Sequence, residues 1–264
     1  MEPLQVPEGE VVATHPANVS ARILAVLMLV VPGGALAWLA TRMEGPQADA
    51  RIPALPGGLT LLVLGILGFV QQNRSKVVVR ADGVERWGLR GKLWALRWAD
   101  MSELRYRAVK LRLYHVIPIG TTIYLTLSDP SGRKYRVPNN MKSMDLLAER
   151  IADQQTAARF AEARAAIERG EEVRFGKALI VDNEKVSTRK LFGGYKSCPL
   201  KEIEKVGVEN GFLRIRQRGK LLGFGGGNIG SIPNVFLFLR LLDSLLGRAT
   251  IPQDRQFVAQ RSVG

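Results

Sequence analysis

Residues 77–98, VVVRADGVERWGLRGKLWALRW, read as strand, turn, strand, turn, strand. Asp82-Gly83 is a tight-turn pair between apolar runs, a strong local signal for a β-hairpin. The glycine-containing turn before Lys92 starts a third strand. There Lys92, Trp94, Leu96 and Trp98 share one face by the period of two. Tryptophans beside arginines also suit the stacking of bases. Sharing a face with Leu96 assigns Trp94 and Trp98 to the core instead.

Working downstream, strands are expected at Leu104–Tyr114 and Thr122–Ser128. Asp129-Pro130-Ser131-Gly132 is a turn, and a short strand follows at Lys134–Val137. Pro138-Asn139-Asn140 introduces a helix with the stripe Met144, Leu147 and Ile151, running to Arg169 before Gly170. The same order then recurs. Ala178–Val181 leads into Asp182-Asn183, the strand Lys185–Phe192, Gly193-Gly194 and Tyr195-Lys196-Ser197. Met101-Ser102-Glu103-Leu104 in the first unit is echoed by Leu200-Lys201-Glu202-Ile203 in the second. Pro138-Asn139 is echoed by Pro233-Asn234, which opens the apolar segment VFLFLRLLDSLL. A repeat of this length indicates one supersecondary unit used twice.

Upstream lie two stretches without a charged residue, Ile23–Ala40 (ILAVLMLVVPGGALAWLA) and Ile52–Val70 (IPALPGGLTLLVLGILGFV). Eighteen to twenty apolar residues at about 1.5 Å each span roughly 30 Å of hydrocarbon. The expectation is therefore a transmembrane helical hairpin. Pro32-Gly33-Gly34 should kink its first helix, with close contact through Gly33 and Ala37 against Gly58, Gly65 and Gly68. Residues 1–70 hold three basic and five acidic residues, which leaves 35 basic and 19 acidic for the rest of the chain. The basic flank after Val70 (Arg74, Lys76, Arg80, Arg86) sets both termini in the cytoplasm and the Thr41–Arg51 loop outside. Residues 1–20 are acidic and contain prolines, the composition of a disordered tail rather than of a cleaved signal peptide.

The order D-G-V-E-R-W, M-S-E-L and a closing helix, echoed by D-N-E-K-V, L-K-E-I and a closing helix, resembles bacterial membrane proteins with tandem PH-like domains. The resemblance covers roughly residues 76–247 together with the apolar hairpin. It implies two antiparallel β barrels or sandwiches, each closed by a C-terminal helix. The expected layout is a tail at 1–20, a two-helix membrane hairpin at 21–72, PH-like domains at 74–170 and 171–249, and a tail at 250–264. Fold class is thus a membrane α-helical hairpin plus a mostly-β soluble region.

Candidate binding residues are the arginine rows. Alternation along a strand throws Arg214, Arg216 and Arg218 onto one face, with Lys220 just beyond; Arg105 and Arg107 form a counterpart in the first unit. Such rows suit anionic headgroups, or simply keep a sheet face solvated. Gly225, Gly227 and Gly230 match G-x-G-x-x-G, but no βαβ unit surrounds them, and a loop or a bulged strand edge fits better. His115 has no neighbouring nucleophile or carboxylate. The one cysteine, Cys198, allows no intrachain disulfide and no multi-cysteine metal site. No catalytic residue, metal or cofactor is expected.

These features describe a non-enzymatic, membrane-anchored binding or scaffold protein of the cytoplasmic membrane. Its basic domains would contact partner proteins or anionic lipid headgroups. The alternatives are a membrane enzyme using Gly-rich loop 223–230 or Cys198, and a basic nucleic-acid-binding module.

Overall fold

The computed structural model describes residues 8–18, 23–24, 26–42, 48–113, 117–190, 193–209, 211–220, 224 and 227–247. His115 and the tail at 250–264 lie outside the described residues. The chain is mostly antiparallel β-sheet with four α-helices among the described residues. It divides into two compact units, Met1–Ala95 with Asn140–Met144, and Leu96–Asn139 with Asp145–Gly264.

The first unit is built on a four-stranded sheet in the order β1-β2-β3-β4, from Val11–Pro16, Lys76–Arg80, Gly83–Gly88 and Gly91–Arg97. Val77, Val78 and Val79 are all buried. A strand covered on both faces reads as a continuous apolar run rather than an alternation, and β2 does. Strand β1 corrects the expectation of a disordered start. Its β-branched run Val11, Val12, Thr14 pairs antiparallel with β2, from Val11 opposite Arg80 to Pro16 opposite Lys76. Beyond it the Ala17 amide donates to the Ser75 carbonyl at 3.0 Å. Residues 18–74 thus leave and re-enter the sheet at one point.

That insertion carries α1 (Val31–Arg42), preceded by a π-helical turn at Val26–Val30, and α2 (Ala48–Arg74). Pro32 has no N–H and its ring collides with the carbonyl four residues back; the wider turn just before it accommodates that defect. The helices pack through small residues as their spacing implied. A Cβ added to Gly33 would lie 2.7 Å from the Leu62 nitrogen, and one on Gly58 2.6 Å from the Ala37 nitrogen. Gly65 meets Val30 in the same way, whereas Gly68 meets nothing within 4 Å.

The expected membrane hairpin is overturned. Among the described residues, no helix is long and apolar enough to cross a membrane. The first apolar stretch changes from π-helical to α-helical at Val31, and the 12 residues of α1 span only about 18 Å at the helical rise. Helix α2 takes in Asp49 and Arg51 at its start and runs on through Gln71 to Arg74. The two-span reading falls, and with it the multi-pass localisation, the cytoplasmic placing of both termini and the integral membrane partnership.

The second unit begins with a three-stranded sheet, β5-β6-β7, from Glu103–Leu113, Ile117–Ser128 and Lys134–Val137. Helix α3 (Met144–Glu168) follows and stops at Gly170, whose φ of +81° suits the left-handed turn that ends many helices. The repeat then forms a second four-stranded sheet, β11-β10-β9-β8, from Val173–Phe175 (β8), Leu179–Val181 (β9), Lys185–Arg189 (β10) and Tyr195–Pro199 (β11). Strands β12 (Ile203–Glu209) and β13 (Phe212–Gln217) pair next, and α4 (Val235–Leu245) closes the unit. Phe238 of α4 meets Phe175 of β8 edge to face at 5.3 Å, and both are buried with Leu104, Leu147 and Ile151. Strand β8 pairs with β9 as β1 pairs with β2. The helical hairpin therefore occupies the connection that the repeat makes with residues 176–178.

Candidate functional site

Strand β13 places its cations as the alternation requires. Leu213, Ile215 and Gln217 are buried, while Arg214, Arg216 and Arg218 are exposed. One face of the strand joins the core and the other meets water, so the arginines cannot turn inward without desolvating charge. On the neighbouring strand, Lys205 stands opposite Arg216 and Gly207 opposite Arg214. The approach of Arg216 to Glu209 is 3.9 Å, with both side chains more than half exposed. Such a contact is worth little. Lys220 follows Gly219, whose φ of +71° turns the chain, and is also exposed.

The counterpart on β5 has the same alternation, with Leu104 and Tyr106 buried and Arg105 and Arg107 exposed. Tyr106 is held edge to face against Phe236 of α4 at 5.5 Å. Arg105 is forked onto Glu103, its Nε and Nη2 donating to one carboxylate oxygen at 3.1 and 3.0 Å. Half of this row is therefore internally neutralised, whereas among the described residues no acidic side chain forms an ion pair with Arg214 or Arg218. The two rows approach through the glycine-rich run. Phe224 donates its amide to the Ile215 carbonyl at 2.7 Å, and Leu213 donates to the Gly227 carbonyl at 2.9 Å. Asn228 also forms an isolated bridge with Phe212 of β13. The run ends in the 3-10 turn Ile229–Ser231, where a Cβ on Gly230 would sit 3.2 Å from Arg107 Cβ.

Gly230 thus serves a close approach to Arg107, whereas Gly227 meets only ordinary contacts at 3.8–3.9 Å. Gly227 and Gly230 open no long helix and lie in no βαβ unit among the described residues, so the dinucleotide reading has no support. Gly225 and Gly226 are outside the described residues. Cys198 is fully buried. Burial and the neighbouring Glu202 push its thiol up, against the smaller opposing effects of Lys220 and Lys196. A nucleophilic cysteine needs the opposite shift.

A second constellation escaped the sequence reading. Asn234, in the left-handed region with φ of +53°, sits at the head of α4. Its Oδ1 accepts from the Leu104 amide at 2.7 Å and from Gln155 Nε2 at 3.2 Å, and its Nδ2 donates to the Ser102 carbonyl at 2.9 Å. Arg159 Nη1 donates to the Met101 and Ser102 carbonyls at 3.1 and 2.9 Å. M-S-E-L and Pro233-Asn234 had each been readable as repeat markers; their mutual contact had no sequence signal. A cleft of about 620 Å³ opens beside them, where Arg159 and Arg174 face Glu162 and Glu172. Arg174 is paired with Glu172 at 3.0 Å, so mixed and self-paired charge makes this cleft a poor trap for an anion. Among the described residues, no three His, Cys, Asp or Glu side chains come together to hold a metal ion.

No curated protein matches the chain. A family model described as a family of unknown function, DUF6585, matches residues 9–249, and by that span, which takes in both repeats and the inserted hairpin, the chain belongs to the DUF6585 family.

Proposed function

We propose that this protein is a non-enzymatic binding module, made of two PH-like repeats, whose arginine-bearing strand faces contact anionic lipid headgroups. The observation that carries the reading is β13. Its three arginines project from one wet face, and their neighbours leave them almost unneutralised. A strand that needed only solubility would do as well with mixed charge. The remainder of the chain after Val70 is basic overall, which adds a general attraction to an anionic surface.

The test is flotation of the full chain with vesicles of neutral lipid and with vesicles containing phosphatidylserine, across a salt series. Binding is expected to favour the anionic vesicles and to fall as salt rises. Each cation near such a surface contributes ~1 kcal/mol. Joint replacement of Arg214→Glu, Arg216→Glu and Arg218→Glu should therefore weaken binding at least tenfold. Equal binding to both vesicle types, or no change in the triple variant, would refute the reading.

A further inference from the structure

Among the described residues of the second unit, the exposed large apolar side chains are Tyr124, Leu146, Tyr195 and Phe212. Tyr195 turns its hydroxyl onto the Lys177 carbonyl at 3.4 Å. Leu146 lies on α3 and on neither arginine-bearing strand. Phe212 and Tyr124, each 46% exposed, stand among the arginines instead. Phe212 opens β13 and shares its outward face with Arg214 and Arg216 by the period of two. Tyr124 of β6 is directly opposite Arg107 of β5, while Ile123 and Leu125 beside it are buried. One short turn links the two positions, because Asn228 bridges Phe212 and Gly230 lies against Arg107. A face kept charged for solubility or against edge pairing needs no aromatic rings.

We propose that Phe212 and Tyr124 enter the boundary between headgroups and acyl chains of an anionic bilayer, with Arg107, Arg214 and Arg216 on the phosphates above them. This inference rests on the lipid reading and commits it to an intact bilayer rather than a free headgroup. Aromatic rings are the side chains that settle at that boundary. The cations beside them supply the complementary charge. Among the described residues, no acidic side chain forms an ion pair with Arg107 or Arg214. Glu209 faces Phe212 across the β12–β13 hairpin and approaches Arg216 at 3.9 Å. Its carboxylate has to stay in the headgroup layer, which makes the insertion shallow. Roughly 90 Å² of the Phe212 side chain is in water, and burying about two-thirds of it is worth about tenfold in affinity.

The full chain is tested on vesicles of neutral lipid and on vesicles containing phosphatidylserine. Emission from Phe212→Trp, with the wild-type spectrum subtracted, should move to the blue on the anionic vesicles and be quenched by brominated acyl chains. Leu146→Trp should show neither change. Phe212→Ala and Tyr124→Ala should each weaken binding about tenfold with the salt dependence unchanged, whereas the triple arginine variant should flatten it. Phe212→Leu, which keeps an apolar side chain, should retain most of the affinity. Failure of the wild type to bind anionic vesicles would refute the lipid reading and this inference together. Binding that depends on the arginines, yet is unmoved by Phe212→Ala and gives no blue shift, would leave the headgroup reading standing and overturn the insertion. Displacement by soluble glycerophosphoserine would overturn it as well. Vesicles left unbound, while Phe212→Ala abolishes binding to a single-stranded oligonucleotide, would overturn it by assigning the rings to bases.

Discussion

Glu85 is fully buried on β3, among donors from three strands. Lys92 Nζ donates to it at 2.8 Å and Trp87 Nε1 at 3.0 Å, while Arg80 Nε stands 3.4 Å away. Burial by itself would raise the carboxyl, but the hydrogen bonds from Lys92 and Trp87 and the charges of Lys92 and Arg80 outweigh it and hold it below the ordinary 4.5. The folded state therefore binds this proton less readily than the unfolded chain. Its contribution is complete above about pH 4.5 and is lost as pH falls through the lower folded value. Glu85→Gln should cost roughly 2 kcal/mol at neutral pH, because Lys92 and Arg80 keep partial access to water and are not stranded as a fully buried pair would be. Urea midpoints from about pH 7 down to about pH 3 should show the variant and wild type converging at the acid end; a constant gap would refute the ionised role. The sequence could not reveal this residue as buried, since alternation around Val84 assigns Glu85 to the outside. The arginines of β13 were legible for the converse reason: that strand has one wet face and one buried one.

Among the elements, legibility followed how local the determining contacts are. Strand–turn–strand at Asp82-Gly83, the end of α3 at Gly170 and the repeat of M-S-E-L are written in neighbouring residues. Strand β1 is not, because what orders Val11–Pro16 is a partner sixty or more positions away. Helix α1 is shorter than the apolar stretch because Val26–Val30, just before Pro32, is π-helical, and composition records apolarity and not the width of a turn. Helix α4 gains its position from Asn234, whose amide donates to the Leu104 carbonyl at 2.8 Å while its side chain accepts the Leu104 amide. The head of the helix thereby completes the edge of β5. Asn234→Ala removes the side-chain acceptor and sets a Cβ residue less tolerant of positive φ, for a cost of about 2 kcal/mol. Asn234→Gly removes the acceptor but relieves the backbone. Both variants should speed hydrogen exchange at the Leu104 amide, with the glycine variant melting higher than the alanine one. An unaltered exchange rate would show that β5 does not depend on this contact.

At the scale of the molecule, the repeat and the insertion explain one another. The second four-stranded sheet turns from β8 to β9 through residues 176–178, and the first turns from β1 to β2 through residues 18–74. The sheet cannot require the longer route, because Ala17 and Ser75 are already hydrogen-bonded where the insertion departs. Replacing residues 18–74 by a short Asn-Gly turn should therefore leave β1 paired with β2. Shortening the connection from more than fifty residues to a handful is three to four halvings of length, a saving of ~2 kcal/mol in closure entropy if the insertion is flexible when the sheet forms. The replaced chain should unfold in one cooperative transition, with a melting temperature no lower than wild type, and should retain the near-ultraviolet signal of Trp87, Trp94 and Trp98, the tryptophans outside the replaced segment. Loss of that signal, or a lower melting temperature, would mean that the hairpin is a structural member of the first unit. The expected result would make it an appendage carried by a complete sheet.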